Sequence, residues 1–481
     1  MQELPNSKAT ALMQFECAHS PRPHANALVR PHQRFTLEQR LTEAIRAGWN
    51  VFQFPSKMLQ GGDLLSDSGT TTLTLEQFAA SILGDEAYGS NWGYPQLVET
   101  LKETFGLEGA WKYYIFHQGR AAEHALYSQL RGRGTLVLSN GFFDTTRANA
   151  EANGFLAVDL CDTSVQAFKG NIDCARLEEN LKKQSADVPF VLITITNNTG
   201  GGQPVSMANL RAAQKVADTY QTPLLLDACR FAENAWFIKH YEEGYEQHSI
   251  SSIVHEMFSL CDGFVISLKK DGLANMGGAL VLRTDSIFTR SHPDLLENIY
   301  DHQVLTEGHP TYGGLTGGTI MTIVEGLKYV TTDQYLDGRI GLVRDFGTYL
   351  TSLGVPILEP IGGHAVYIDI DRFFAGTRMR REDFGGISLT ALLLLKGVRL
   401  CELGAFAFGK YDSSTGRETF PPHNYVRAAV PRQKYELQDL YHVAECIQTL
   451  YDRRDELPKA IPTWGRDKTL RHFKARFALE W

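Results

Sequence analysis

From about Gly84 to Arg283 the chain alternates short apolar runs with longer stretches whose apolar residues recur every three or four positions. The runs at 113–116, 135–139, 155–159, 190–196, 223–227, 263–267 and 278–282 have the length of buried strands. Helical spacing marks 121–130, 210–219 and 250–259 between them. Strand–helix alternation predicts an α/β fold with a mostly parallel sheet covered on both faces. In such sheets ligands bind at the carboxyl ends of the strands, so chemistry is sought just after each run.

After about Thr331 the pattern changes. A helical stretch at 336–353 leads to a strand-like run at 363–369, a helix at 389–396 and a strand-like pair around Val398 and Val426. This predicts a second, smaller α+β domain. Near the start, 37–47 has helical spacing that 52–55 breaks. The first thirty-five residues or so carry Pro5, Pro21, Pro23 and Pro31 among polar side chains and read as an extended arm. No internal repeat or low-complexity tract is found.

Composition narrows the function classes. The 481 residues are enough for two or three domains, and 43% apolar content with 11% aromatics is ordinary globular usage. Lys and Arg number 47 against 55 Asp and Glu, a formal charge of −8 with no basic footprint for nucleic acid or an anionic membrane. No apolar run approaches the roughly 18–20 residues that span a bilayer, and the start lacks a charged-then-apolar secretory pattern. Seven scattered cysteines form no C-x-x-C pair, so a reduced, cytoplasmic enzyme is expected.

Three strand ends carry candidate chemistry. His117-Gln118-Gly119-Arg120 lies between a strand and a helix, where free N–H groups, a glycine and an arginine suit a phosphate. The plain alternative is a turn with a surface arginine. Leu224-Leu225-Leu226-Asp227 ends a buried run on a carboxylate, which needs a cationic partner such as a ring nitrogen, or else caps a helix. Ser267-Leu268-Lys269-Lys270 closes another strand with two lysines. A lysine there can lose its proton by burial or like-charge repulsion and form an imine, or the two are a solvated pair. Phosphate cup, aspartate and lysine at successive strand ends are together what pyridoxal phosphate requires: anchor, pyridinium partner and imine-forming amine.

The segments LLSDSGT (64–70), GDEAY (84–88), HQGR (117–120), FFDTT (142–146), GGQPVSMANL (201–210), DACRFAENAWFIK (227–239), SLKKDGLANMGG (267–278), TYGGL (311–315), GGHAVYID (362–369) and LRHFKARF (470–477) resemble the tryptophanase / tyrosine phenol-lyase group of β-eliminating lyases. The resemblance runs from about Asp63 to the C-terminus. It implies the aspartate-aminotransferase-like fold (fold type I), with a pyridoxal-phosphate-binding domain at 63–331 and a small domain from 36–62 and 332–481, while the arm at 1–35 looks unrelated. It further implies a homotetramer, a dimer of dimers with active sites at the subunit interface.

Position by position, the resemblance makes Lys270 the imine-forming lysine and α-proton base, with Ser267 and Lys269 helping Gln118, Gly119 and Arg120 hold the phosphate. Phe143 would stack on the ring, Asp227 would pair with its nitrogen, and Asn198 and Arg230 would contact its hydroxyl oxygen. Arg427 would clamp the substrate carboxylate, as bidentate guanidinium geometry allows. Tyr88 and Tyr312 would act across the interface, where Gly69, Glu86 and Asn275 would bind a monovalent cation, potassium. Tryptophanases carry an acid after the stacking phenylalanine and His-Phe near the C-terminus, matching Asp144 and His472-Phe473. Leu403 stands where phenol-lyases place an arginine, and it cannot donate to a phenol oxygen.

The resemblance therefore implies β-elimination of L-tryptophan to indole, pyruvate and ammonium, with Tyr88, Asp144 and His472 supplying the proton at the leaving carbon. Two departures lie near the expected pocket. The turn Gly89–Tyr94 is one residue shorter than in relatives, and His309 replaces a large apolar residue. Rival readings are elimination or replacement on tyrosine, cysteine or a substituted tryptophan, transamination, and a coenzyme-binding protein without turnover.

Overall fold

The computed structural model describes residues 31–197 and 200–481. Most of the expected arm, and Asn198, lie outside the described residues.

Seven strands form the large sheet: β1 (Trp111–Phe116), β2 (Leu136–Ser139), β3 (Leu156–Asp159), β4 (Val191–Thr194), β5 (Leu224–Asp227), β6 (Gly263–Ile266) and β7 (Gly278–Arg283). Their spatial order is β1-β7-β6-β5-β4-β2-β3. β7 runs antiparallel to both neighbours, and the others pair in parallel. Alternate side chains point to opposite faces, as the pleat demands. Leu224 and Leu226 enter one apolar cluster with helical Leu210 and Val254, whereas Leu225 enters another with Leu126 and Phe288. Both faces are thus covered, which is why these strands are apolar throughout.

Helix ends follow local chemistry. Ser206 caps Met207–Thr219 and Ser249 caps Ile250–Ser259, each hydroxyl accepting from a backbone N–H three residues on. The stretch expected at 121–130 starts earlier, at Gly119, so the Gly119–Gln129 helix points its N-terminus at the strand ends.

The C-terminal region has its own sheet, β8 (Ala365–Asp369), β9 (Cys401–Leu403) and β10 (Tyr425–Ala429), in the order β8-β10-β9. Val366, Ile368 and Val426 pack with Leu389 and Leu440 in a separate apolar cluster. Val398 and Val426 do not pair with each other. Val398 lies opposite Gly62, and Val426 lies opposite Ile368 and Glu402. The bidentate pair of Arg399 with Asp63, at 2.9 and 2.7 Å, holds the Val398 segment on the Gly62 strand. The helix expected at 389–396 begins at Gly385 and tightens into a 3-10 turn at Leu394–Lys396.

A final hairpin, β11 (Lys459–Trp464) and β12 (Arg476–Glu480), carries the short turn Arg471–Phe473 just before its second strand. Asn50 secures that turn, its amide donating to the carbonyls of His472 at 3.0 Å and Ala475 at 2.7 Å. Among the described residues no helix is long and apolar enough to cross a membrane.

Candidate active site at the carboxyl edge of the large sheet

One pocket opens where β4, β5 and β6 end. Gln118, Gly119, Arg120, Phe143, Asp227, Arg230, Ser267, Lys269 and Lys270 all line it. Register brings this about: Asp227 is opposite Thr194 on β4 and Val265 on β6, and Gln118 bridges Gly277 beside the lysine loop.

The phosphate end is built from close backbone approach. A Cβ at Gly119 would stand 2.8 Å from the Ser267 Cβ, so only glycine lets the helix start meet the Ser267 turn. Ser267 Oγ is buried and has no hydrogen-bond partner within the protein. Lys269 Nζ donates to Gln118 Oε1 at 3.2 Å. Burial, then the neighbouring Lys270 and Arg120, bring the Lys269 ammonium down to about 8. A depressed lysine beside a buried hydroxyl without a protein partner suits an anionic ligand.

Asp227 shares the pocket with a second carboxyl. Glu123 lines the same pocket, its Oε1 accepting from the Thr146 hydroxyl at 2.8 Å while Oε2 is buried without a partner. Burial, then the charge of Asp227, raise Glu123 to about 7. Cys229 N–H approaches Asp227 Oδ1 at 3.4 Å.

Arg230 differs from expectation in its bonding. Although it lines the pocket, its Nε and Nη2 bind Asp67 at 3.0 and 2.8 Å. Arg432 Nη1 meets the same Asp67 at 2.9 Å, and its Nη2 meets Glu233 at 2.8 Å and Asp271 at 2.7 Å. Arg339 adds Nε to Glu233 at 3.1 Å. Three arginines and three acids, all buried, thus join the lysine loop to the C-terminal region. Burial alone would raise Asp67, but Arg230, His364 and Arg432 hold it well below the usual carboxylate range. Asp271, next to Lys270, is instead raised to about 6, burial outweighing Arg432.

The outer edge draws on distant segments. His472 Nε2 lies 3.0 Å from Asp144 Oδ2, with both side chains buried. The N-terminal turn of the Asp144–Ala152 helix presents the acid, and Phe143 is the residue just before that helix, with no side-chain cap bond. Phe52 packs edge-on to His472. Arg427 on β10 is buried opposite Tyr367 and Cys401, and its Nη2 donates to Leu65 O at 3.0 Å. Leu403 is buried on β9. Tyr88 is 66% exposed, its ring 5.7 Å from Tyr312 and 5.9 Å from His309. The shortened turn places Ser90 in the left-handed region and ties its N–H to the Thr311 hydroxyl at 2.8 Å.

Of the expected cation ligands, Gly69 and Asn275 are together, Asn275 Nδ2 donating to Gly69 O at 3.2 Å. Glu86 instead accepts from Gly317 N–H at 3.3 Å. Among the described residues no group of three or more His, Cys, Asp or Glu is placed to hold a metal ion.

Reading the sequence missed Glu123, Asp67, Glu233, Asp271, Arg339 and Arg432. Asp67, Glu233 and Asp271 lay inside quoted motifs, so a buried acid within each was the available signal. Arg432 had none.

A seven-stranded sheet with lysine, aspartate and an anion cup at its strand ends defines a pyridoxal-phosphate enzyme of fold type I. Solved structures of serine palmitoyltransferase from Sphingomonas wittichii (TM-score 0.54, 13% identity, 82% of this chain and 88% of that one) and of a Leishmania major threonine aldolase (TM-score 0.54, 13% identity, 81% and 99%) share that fold. The pattern of the beta-eliminating lyase family matches residues 63–446. The chain is 42% identical to a tryptophanase of Salinibacter ruber (86% of each chain) and 40% identical to a probable tryptophanase of Aeropyrum pernix (94% of this chain, 96% of that one). It is 38% identical to a tyrosine phenol-lyase of Clostridium tetani (93% and 96%). The chain belongs to the beta-eliminating lyase family and is a pyridoxal-phosphate-dependent lyase.

The pocket fits that coenzyme. The stranded Ser267 hydroxyl, depressed Lys269 and Arg120 would suit a phosphate, and Asp227 would suit a ring nitrogen. Phe143 and Lys270 line the same pocket, where the first would offer an aromatic wall and the second an amine.

Proposed function

We propose that this lyase cleaves the Cβ–Cγ bond of L-tryptophan or a related aromatic amino acid, releasing indole, pyruvate and ammonium. The observation that carries the reading is the buried Asp144–His472 pair. A carbon leaving group departs only after protonation at carbon, which calls for an acid relay that elimination of a thiolate does not need. Leu403 supports the same choice, because an apolar wall suits indole and leaves a phenol hydroxyl unpaired.

Bound in the pocket, pyridoxal phosphate supplies an electron sink that acidifies the substrate α-carbon. Arg427 binds and orients the substrate carboxylate. Lys270 Nζ removes the α-proton. Asp144 holds the Nε2 proton of His472, and this pair with the Tyr88 hydroxyl delivers a proton to the indole carbon. Closure of the C-terminal region, taken as the small domain 36–62 and 332–481, over the domain 63–331 excludes water.

Tyr88 projects from the surface, as do Leu75, Phe78, Ile82 and Leu83 of one neighbouring helix. This apolar face supports assembly with a second copy, towards a homotetramer in which Tyr88 and Tyr312 serve the partner's site. Gly69, Glu86 and Asn275 would join across that interface around potassium. The free cysteines among the described residues suit a reduced, cytoplasmic setting.

A second reading is elimination from amino acids with good leaving groups. His309, beside Tyr88, favours it by placing a polar ring where an indole would pack. One experiment separates the two. Holoenzyme with potassium is offered L-tryptophan and S-ethyl-L-cysteine, and pyruvate and indole are measured. Indole release that Asp144→Asn abolishes while thiol release persists supports the tryptophan reading. Equal loss of both contradicts the role of Asp144.

A further inference from the structure

The carboxyl of Glu123 has no part in the scheme above, yet it lines the coenzyme pocket. It projects from the Gly119–Gln129 helix, only 8% exposed. Its Oε1 is taken by the Thr146 hydroxyl, and Oε2 is buried with no partner. Asp227 from β5, Lys270 from the loop after β6 and Arg120 from its own helix line the same pocket and act on Glu123 electrostatically, and Cys229, whose N–H donates to Asp227 Oδ1, lines it too. Tyr127, one turn along that helix, stays a neutral phenol because burial, then Glu123 and Asp227, push it well up.

Thr146 donates, so the only acceptor among these groups for a proton on Oε2 is the Asp227 carboxylate. We propose that Glu123 is a positioning residue for the ring-nitrogen end of the pocket: in the resting enzyme it is the carboxylic acid, and its Oε2 hydroxyl donates to Asp227. Two buried carboxylates facing one another hold one proton between them at little cost, whereas two full charges repel. The shared proton, together with the Cys229 N–H that Asp227 Oδ1 accepts, fixes the rotation of the carboxylate that meets the ring nitrogen. Burial, then the charge of Asp227, raise the Glu123 carboxyl to about 7, and losing the proton as pH rises leaves two negative charges on the pair. The inference rests on reading Asp227 as the ring-nitrogen partner.

Infrared difference spectra of the holoenzyme between about pH 6 and about pH 8 test it. The wild type should show a carboxylic-acid C=O band that vanishes at the higher pH. The band should be missing from Glu123→Gln and shifted in Asp227→Asn. Coenzyme affinity gives a second readout. Glu123→Gln, which keeps a donor towards Asp227, should stay within about threefold of wild type, and Glu123→Leu should lose about tenfold. A band that persists in Glu123→Gln, that is absent from the wild type, or that is unmoved in Asp227→Asn overturns the proposal. So does Glu123→Leu binding as tightly as Glu123→Gln, and if that variant does not fold the infrared result alone decides. No readout uses tryptophan, so failure of indole release sinks the substrate reading and leaves this one standing.

Discussion

The coenzyme pocket and the edge proposed to meet the leaving group are built in opposite ways. The pocket is made from the ends of adjacent strands, where parallel register puts Thr194, Asp227 and Val265 side by side. Its residues are fixed by a sheet packed on both faces. The edge is made from segments hundreds of positions apart: Asp144 with His472, Arg427 with Leu65. Tyr88 projects from the surface altogether. The proposed general chemistry would therefore rest on a rigid platform, and the proposed specificity on contacts between segments distant in the chain.

The largest effect comes from the platform. Lys270→Ala should lower turnover of every amino acid by at least about 10³-fold, because it removes the general base common to all of them. Product assays across a substrate panel measure this, and a substrate that escapes the loss breaks the comparison. At the edge, Asp144→Asn should cost about 10²–10⁴-fold in kcat/KM for tryptophan and under about threefold for S-ethyl-cysteine. His472→Phe should follow the same split, read from the same two assays.

The buried ionic cluster links the two regions. Arg432→Met leaves Asp67, Glu233 and Asp271 short of their shared cation and should destabilise the fold by about 3–5 kcal/mol, read from urea unfolding. A loss below about 1 kcal/mol would mean that the cluster is not what joins the regions.

The smallest effect is a pH dependence. Lys269 titrates near 8 in the free pocket, and an anion binds better to its protonated form. Coenzyme affinity should hold below that pH and fall above it, by up to about tenfold per pH unit until the bound-state value is reached. Lys269→Met should flatten the profile. An affinity that rises with pH would reverse the assigned sign.

The same contrast decides what was legible in the sequence. All seven strands of the large sheet were readable, because burial on both faces leaves unbroken apolar runs. Their end residues followed from position alone, and 250–259 matched the helix to the residue. The Asp144–His472 contact was reached only through the family resemblance, since no periodicity links positions so far apart. Glu123 was invisible for another reason: on a helix with Ala122, Ala125 and Leu126 a lone acid reads as the polar face, and only burial exposes it. Arg432 lay in no motif, and the pairing of Val398 was obscured because a two-residue strand leaves no pattern.

The most direct measurement is borohydride fixation of the holoenzyme followed by peptide mapping. The coenzyme should be found on the Lys270 side chain in one equivalent per chain. Attachment to Lys269, to another lysine, or to none contradicts the assignment of the strand-end pocket as the reacting centre.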